Sequence, residues 1–183
     1  MKIDENDYFA VIPARAGSKR IPNKHMQLIG EKTMIQFTIE AALESTELGS
    51  TIISSDASDI IKLAVEMGAN APFTRPHNLS TDNAMTTAVL KHALDWYKSH
   101  NDQYPNNIVL LQPTSPFRTA NDIDQAIKLF RDSQKNRSAD YGRSTAGSRN
   151  QANGERNSCG NRNPLSNLCG VRQTRFVTFK TNV

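Results

Sequence analysis

The sequence predicts an α/β fold with a mainly parallel sheet over residues 8–130, followed by a tail of different character. Three observations predict it. Short apolar runs alternate with amphipathic helical stripes of 11–16 residues. Glycine, proline and short polar residues punctuate the joints between them. The alternation stops near residue 131, where apolar content collapses. Strands interleaved with helices of this length imply βαβ units, which need a parallel sheet.

Taken in order, Tyr8-Phe9-Ala10-Val11-Ile12-Pro13 is an apolar run ended by proline and reads as a buried strand. A loop follows through Lys24. Residues 33–45 place Ile35, Ile39 and Ala42 on one helical face. Thr51-Ile52-Ile53-Ser54 reads as the second strand, with Ser55 and Asp56 placed to cap the next helix. In that helix Ile60, Leu63, Ala64 and Met67 recur at i, i+3, i+4 and i+7, and Gly68 closes it. Ala71-Pro72-Phe73-Thr74 is a weak third strand, and residues 75–83 form a loop. A helix over about 84–99 buries Leu90, Ala93, Leu94 and Tyr97. Ile108-Val109-Leu110-Leu111 is the strongest strand signal, and Pro113 and Pro116 enforce a turn after it. Asn121 or Asp122 is placed to cap a last helix carrying Ile123, Ala126, Ile127 and Phe130.

The net charge of +4 averages two unlike parts. Residues 1–130 hold 12 basic and 15 acidic side chains, a net of −3, whereas residues 131–183 hold 10 and 3, a net of +7. From Arg131 to Gly170 there is no Val, Ile, Phe, Met or Trp. Such a segment cannot bury enough apolar surface to offset its ordering entropy. The expected organisation is a domain over 1–132 and a disordered basic tail over 133–183. Phe176-Val177-Thr178-Phe179 has strand composition within it. The two cysteines, Cys159 and Cys169, make neither a zinc signature nor a disulfide framework. No run approaches a membrane span, and the first residues lack signal-peptide character. The expectation is a soluble cytoplasmic protein without a membrane partner.

Ligands of parallel α/β sheets bind beyond the carboxyl ends of the strands. Three loop regions qualify: 14–24, 54–56 with 75–86, and 112–118. The first, Ala14-Arg15-Ala16-Gly17-Ser18-Lys19-Arg20-Ile21-Pro22-Asn23-Lys24, carries four cations and no acid. Concentrated positive charge in a partly dry cleft attracts polyphosphate. Gly17 lets backbone approach a phosphate, and Ser18 offers two donors. The spacing is neither that of a Walker loop nor the dinucleotide fingerprint. The competing reading is a solvated basic loop.

Four segments carry a family resemblance. They are Val11 through Lys24, Ile53-Ser54-Ser55-Asp56, Arg75-Pro76-His77-Asn78-Leu79-Ser80-Thr81-Asp82, and Leu110-Leu111-Gln112-Pro113-Thr114-Ser115-Pro116-Phe117-Arg118-Thr119. In this order they resemble the motifs of the CMP-N-acetylneuraminate synthetase (acylneuraminate cytidylyltransferase) family, from residue 8 to about 130. The resemblance implies a Rossmann-like nucleotidyltransferase domain. It implies attack of a sialic-type acid's anomeric hydroxyl on the α-phosphate of CTP, with Mg²⁺ assistance and release of pyrophosphate. It implies that Arg15, Ser18, Lys19 and Lys24 hold the nucleotide and its phosphates, with Arg15 and Lys24 acting in catalysis. His25, where the family usually has Asn, joins the nucleotide site as a departure from the pattern. Arg75 and Thr86, with backbone near Ala84, are implied to recognise cytidine. Gln112, Thr114, Ser115 and Arg118 are implied to face the sugar acid. The bland alternatives are surface guanidinium groups for Arg75 and Arg118, and loop or cap residues for Thr81 and Asp82.

Past residue 131 the family's further strands, its dimerisation segment and its metal-binding aspartate pair are not recognisable. The expectation is a truncated cytidylyltransferase whose continuation was lost to a reading-frame shift. Mg²⁺ would then be held only by substrate phosphates, and catalysis would be weak or absent. Legionaminic, pseudaminic and eight-carbon ulosonic acids are alternative sugars, and a non-catalytic nucleotide-binding fragment is the alternative role. Nucleic-acid binding through the basic tail is disfavoured, since almost no aromatics interleave its cations.

Overall fold

A computed structural model describes residues 8–17, 21–146 and 176–180. The central strand β1 (Tyr8–Ala14) is buried along nearly its whole length. Even-numbered and odd-numbered side chains leave a strand on opposite faces. Here Tyr8, Ala10, Ile12 and Ala14 enter one core and Phe9 and Val11 the other. A strand apolar on both faces must be covered on both, so the fold has three layers.

The order of chain elements after β1 is a short hairpin of β2 (Leu28–Ile29) and β3 (Lys32–Thr33), then α1 (Met34–Glu44) and β4 (Ser50–Ser55). Next come α2 (Ser58–Glu66), α3 (Thr86–Asn101), β5 (Asn107–Leu111), α4 (Ala120–Ala146) and β6 (Phe176–Lys180). The sheet order is β4-β1-β5-β6. β4 and β5 flank β1 in parallel, and β6 pairs with β5 antiparallel. On one face the core gathers Ile35 and Ile39 from α1, Ile60 and Ala64 from α2, and Ile123, Ile127 and Phe130 from α4. On the other, α3 supplies Leu90, Ala93 and Leu94.

Local chemistry explains most boundaries. Gln36 Oε1 accepts from the backbone N–H and the hydroxyl of Thr33, which starts α1. Gly68, at φ 86°, ends α2 as a left-handed residue. α4 is capped by Thr119 rather than by Asn121 or Asp122. Thr119 Oγ1 accepts from the Asp122 N–H, and the Asp122 carboxylate accepts from the Thr119 N–H and hydroxyl. The weak strand at 71–74 is not formed: it keeps one isolated parallel bridge, Thr74 to Ser55, with a second just before it, Asn70 to Ile52. The hairpin, turning at Gly30 with φ 66°, carries no periodic signal because its strands are two residues each.

The helix α4 continues to Ala146, past the change of composition after residue 132. β6 falls on the strand-like segment at 176–179. Among the residues whose burial is described, the core sits within residues 8–130, the span with alternating apolar runs and stripes.

At the amino-terminal end of the parallel strands, the 45–47 loop is gripped by α4. Asp124 accepts from the hydroxyls of Ser45 and Thr46 (2.5 and 2.8 Å) and from the N–H groups of Thr46 and Glu47 (both 3.3 Å). Arg131 pairs with Glu47 and lies over the Tyr8 ring. Burial opposes ionisation of Asp124, but these bonds outweigh it and hold the carboxyl below its ordinary range.

Replacing Asp124 with Ala is expected to destabilise the fold by about 2 kcal/mol at neutral pH. Because the folded pKa is depressed, this stabilisation is present above the unfolded value and lost as pH falls through the folded one. Urea midpoints of wild type and variant should therefore converge in acid. A gap that stays the same at low pH would contradict the assignment.

Candidate functional site

The parallel arrangement brings the carboxyl ends of β4, β1 and β5 to one edge. β1 pairs with β4 as far as Ala14 and Ser55, but with β5 only as far as Val11 and Leu110. The chain passes from β1 to β4 on one side and later returns to β5 on the other. A crevice opens where such an order reverses. Pro13 and Pro113, which have no N–H to continue a ladder, line it.

The crevice is part of a cavity of about 310 Å³. Seven of the residues singled out from the sequence line it: Arg15, His25, Arg75, Ala84, Thr86, Gln112 and Thr114. They come from all three loop regions. Lys24 opens the 3₁₀ turn Lys24–Met26 beside His25 and is half-buried. Ser115 and Arg118 close the turn after β5 without lining the cavity. The Ser115 N–H donates to Gln112 O and the Arg118 N–H to Ser115 O, each at 3.3 Å. Ser18 and Lys19 lie outside the described residues.

Arg75 is buried at 4% exposure, so it is not a surface guanidinium. Its N–H donates to Ser55 O at 2.7 Å, which ties the loop to the end of β4. Its Nε donates to Ser80 Oγ at 3.1 Å, and its Nη2 reaches Asp56 Oδ1 at 3.4 Å. Burial lowers the Arg75 pKa, Asp56 opposes that, and Arg15 adds to it. Arg118 is likewise buried, at 7% exposure, with Nη2 donating to Gln112 O at 3.2 Å. Burial brings its pKa down to about 10 against the pull of Asp122.

Sequence reasoning undervalued two carboxylates. Asp56 does not cap α2. It accepts from the Ala16 N–H at 3.0 Å and from Arg75, so it joins the first loop to both parts of the second region. Ser55 takes the helix-entry role, its Oγ accepting from the Ala57 N–H at 3.0 Å. Asp82 pairs with Arg15 at 2.5 Å and lines the cavity. For Asp56 the available signal was an acid at the carboxyl end of a parallel strand, facing a loop with no acid of its own.

His25 is half-buried, and its Nδ1 is shielded from solvent without a hydrogen-bond partner. Burial first, then Lys24, Arg15 and Arg75, lower its pKa to about 4. The ring is neutral at pH 7. Among the described residues no three His, Cys, Asp or Glu side chains converge as a metal site. Asp82, which lines the cavity, is paired with Arg15, and Asp56, behind the cavity-lining Arg75, is paired with that arginine. Mg²⁺ is usually held by one or two carboxylates together with substrate phosphates, so the residues that could share it here are Asp82 and Asp56, in competition with their arginines.

The comparison with known proteins is consistent with this arrangement. A family model described as cytidylyltransferase matches residues 9–165. The chain belongs to the cytidylyltransferase family. It is 40% identical over 124 residues to a CMP-N,N'-diacetyllegionaminic acid synthase of Legionella pneumophila, covering 67% of this chain and 52% of the relative. It is 38% identical over 126 residues to an N-acylneuraminate cytidylyltransferase of Escherichia coli, covering 69% and 29%. A solved CMP:2-keto-3-deoxy-manno-octonic acid synthetase complexed with CTP superposes with a TM-score of 0.57 at 25% identity, covering 69% of this chain and 48% of that one. This cytidylyltransferase chain thus spans about half the length, or less, of these relatives. Among its described residues no helix is long and apolar enough to cross a membrane.

Two stability measurements check the site's construction. Arg75→Ala leaves Asp56 without its buried cation and should cost about 3 kcal/mol in thermal or urea unfolding. Arg75→Lys should rescue little of it, because Lys lacks the rigid planar fork whose Nε and Nη2 reach Ser80 and Asp56 separately. For His25 the folded pKa lies below the unfolded value, so the unfolded chain binds the proton between about pH 4 and 6.5 and stability falls as pH drops through that window. His25→Gln should flatten that limb by on the order of 1–2 kcal/mol. An unchanged acid limb in the variant would remove the burial argument.

Proposed function

We propose that the cavity binds CTP and that the chain supplies the nucleotide half of a cytidylyltransferase acting on a sialic-type nonulosonic acid, with release of pyrophosphate. One observation carries the reading. Side chains from all three loop regions converge on a single cavity at the switch point of a parallel sheet. Its family membership supports the same chemistry.

In this reading Arg15 and Lys24 are the catalytic cations. They offset negative charge on the triphosphate and on the leaving pyrophosphate. Ser18 and Lys19 are proposed to hold the nucleotide's phosphates with them. Arg75 and Thr86, with backbone near Ala84, read the cytosine edge, where an unmatched buried amide is costly. Gln112, Thr114, Ser115 and Arg118 take the sugar acid. The Ser115 hydroxyl is buried without a hydrogen-bond partner in the turn that follows Gln112. Phosphoryl transfer leaves the protein mainly positioning and electrostatics, so no nucleophilic side chain is needed. Legionaminic, pseudaminic, neuraminic and eight-carbon ulosonic acids are the candidate sugars. A cytoplasmic setting fits consumption of CTP.

A second reading, nucleotide binding without turnover, is favoured by one observation: the two carboxylates nearest the cavity, Asp82 and Asp56, are each engaged by an arginine.

Calorimetry should show CTP binding in preference to ATP, and Arg15→Ala should weaken it by about tenfold or more, the value of one charge-assisted contact. Equal affinity for CTP and ATP would sink the cytidine assignment. Pyrophosphate release with CTP and a panel of nonulosonic acids separates the two readings. Turnover with one acid of the panel supports transfer and names the sugar. Binding of CTP with no turnover on any acid supports the second.

A further inference from the structure

We infer that His25 takes up a proton when a polyphosphate enters the cavity, so that nucleotide binding is coupled to protonation of this ring. The inference rests on the CTP-binding reading above and adds a regulatory property to the same site.

Geometry carries the argument. His25 sits in the cavity wall, on the 3₁₀ turn Lys24–Met26, with its Nδ1 enclosed and unpartnered. A buried polar nitrogen with no partner is costly to leave so. The charged groups around it come from every neighbouring element. Lys24 stands on its own turn, Arg15 follows β1, and Arg75 and Asp82 belong to the 75–86 region. Asp56 lies just past the end of β4. Gln112 and Thr114, from the loop after β5, are uncharged. The two acids are engaged, Asp82 with Arg15 and Asp56 with Arg75.

The field at His25 is therefore cationic, and together with burial it keeps the ring neutral, with a pKa of about 4. A nucleoside triphosphate brings roughly four negative charges into this field. One unit charge about 5 Å away, at an effective dielectric near 20, moves a neighbouring pKa by roughly two. A single phosphate oxygen at that range thus offsets most of the depression. The ring then gains a proton. Asn or Gln at this position could donate a hydrogen bond but could not carry the charge.

The test is calorimetry of CTP binding at about pH 6 in two buffers of different ionisation enthalpy, which counts protons taken up per nucleotide. Protons exchanged by CTP itself cancel in the difference between wild type and His25→Gln. Wild type is expected to take up more protons than His25→Gln, by about half a proton per nucleotide or more, and cytidine without phosphates to show no such difference. A parallel NMR titration of the His25 ring in wild type, assigned by the peak that His25→Gln lacks, should move its pKa above about 6 in the CTP complex. That measurement stands even if His25→Gln folds poorly, because the other histidine variants can complete the assignment by elimination. Equal proton counts with an unmoved ring, or equal uptake with cytidine, would overturn the inference while leaving CTP binding intact. Absence of any CTP binding would overturn the nucleotide reading and this inference with it.

Discussion

The site depends on the burial of β1 on both faces. A strand covered on both faces can be only apolar, so it has no side chain to spend on chemistry until it ends. Parallel pairing with β4 and β5 obliges the chain to cross over between strands, and each crossover returns it to the same starting edge. The result is that polar sequence is exported to one rim. Arg15, Asp56 and Gln112 each stand one residue beyond a buried strand end. Their convergence follows from strand length and register, not from any attraction among them.

At that rim, electrostatics has to reconcile several cations with one another before any anion arrives. Asp56 and Asp82 do so. Each neutralises an arginine, and Asp56 also satisfies the Ala16 N–H. The two pairs differ in setting. Arg75 is nearly sealed from water, whereas the side chains of Arg15 and Asp82 keep 32% and 29% of their exposure. A buried pair costs much to break, but a half-exposed one is held weakly. The site has one pair suited to holding a loop in place and another that an incoming anion can compete for.

Much of this was legible in the sequence. Apolar runs such as Ile108–Leu111 and the stripe Ile60, Ala64 identify their elements because burial is a summed property of many residues. The four motifs located the rim in the same way. The carboxylates were harder, since an Asp after a strand reads equally as a helix cap, and only the position of Arg75 decides between them. The cap of α4 went to Thr119 because a Thr-x-x-Asp box satisfies more backbone donors than Asn121 alone could. The two-residue strands β2 and β3 carry no periodicity to read. The enclosed Nδ1 of His25 has no sequence signature, because it is a property of what packs around the ring.

The bridge between Thr74 and Ser55, with the Arg75 N–H bonded to Ser55 O, makes the start of the 75–86 segment an extension of the sheet. The Arg75 N–H is therefore tied to the sheet edge by a backbone hydrogen bond of the kind that holds the strands together. A ligand arriving at the crevice meets one fixed wall with its guanidinium already aimed. The entropy of ordering that side has been spent during folding, and binding has only the opposite wall left to organise.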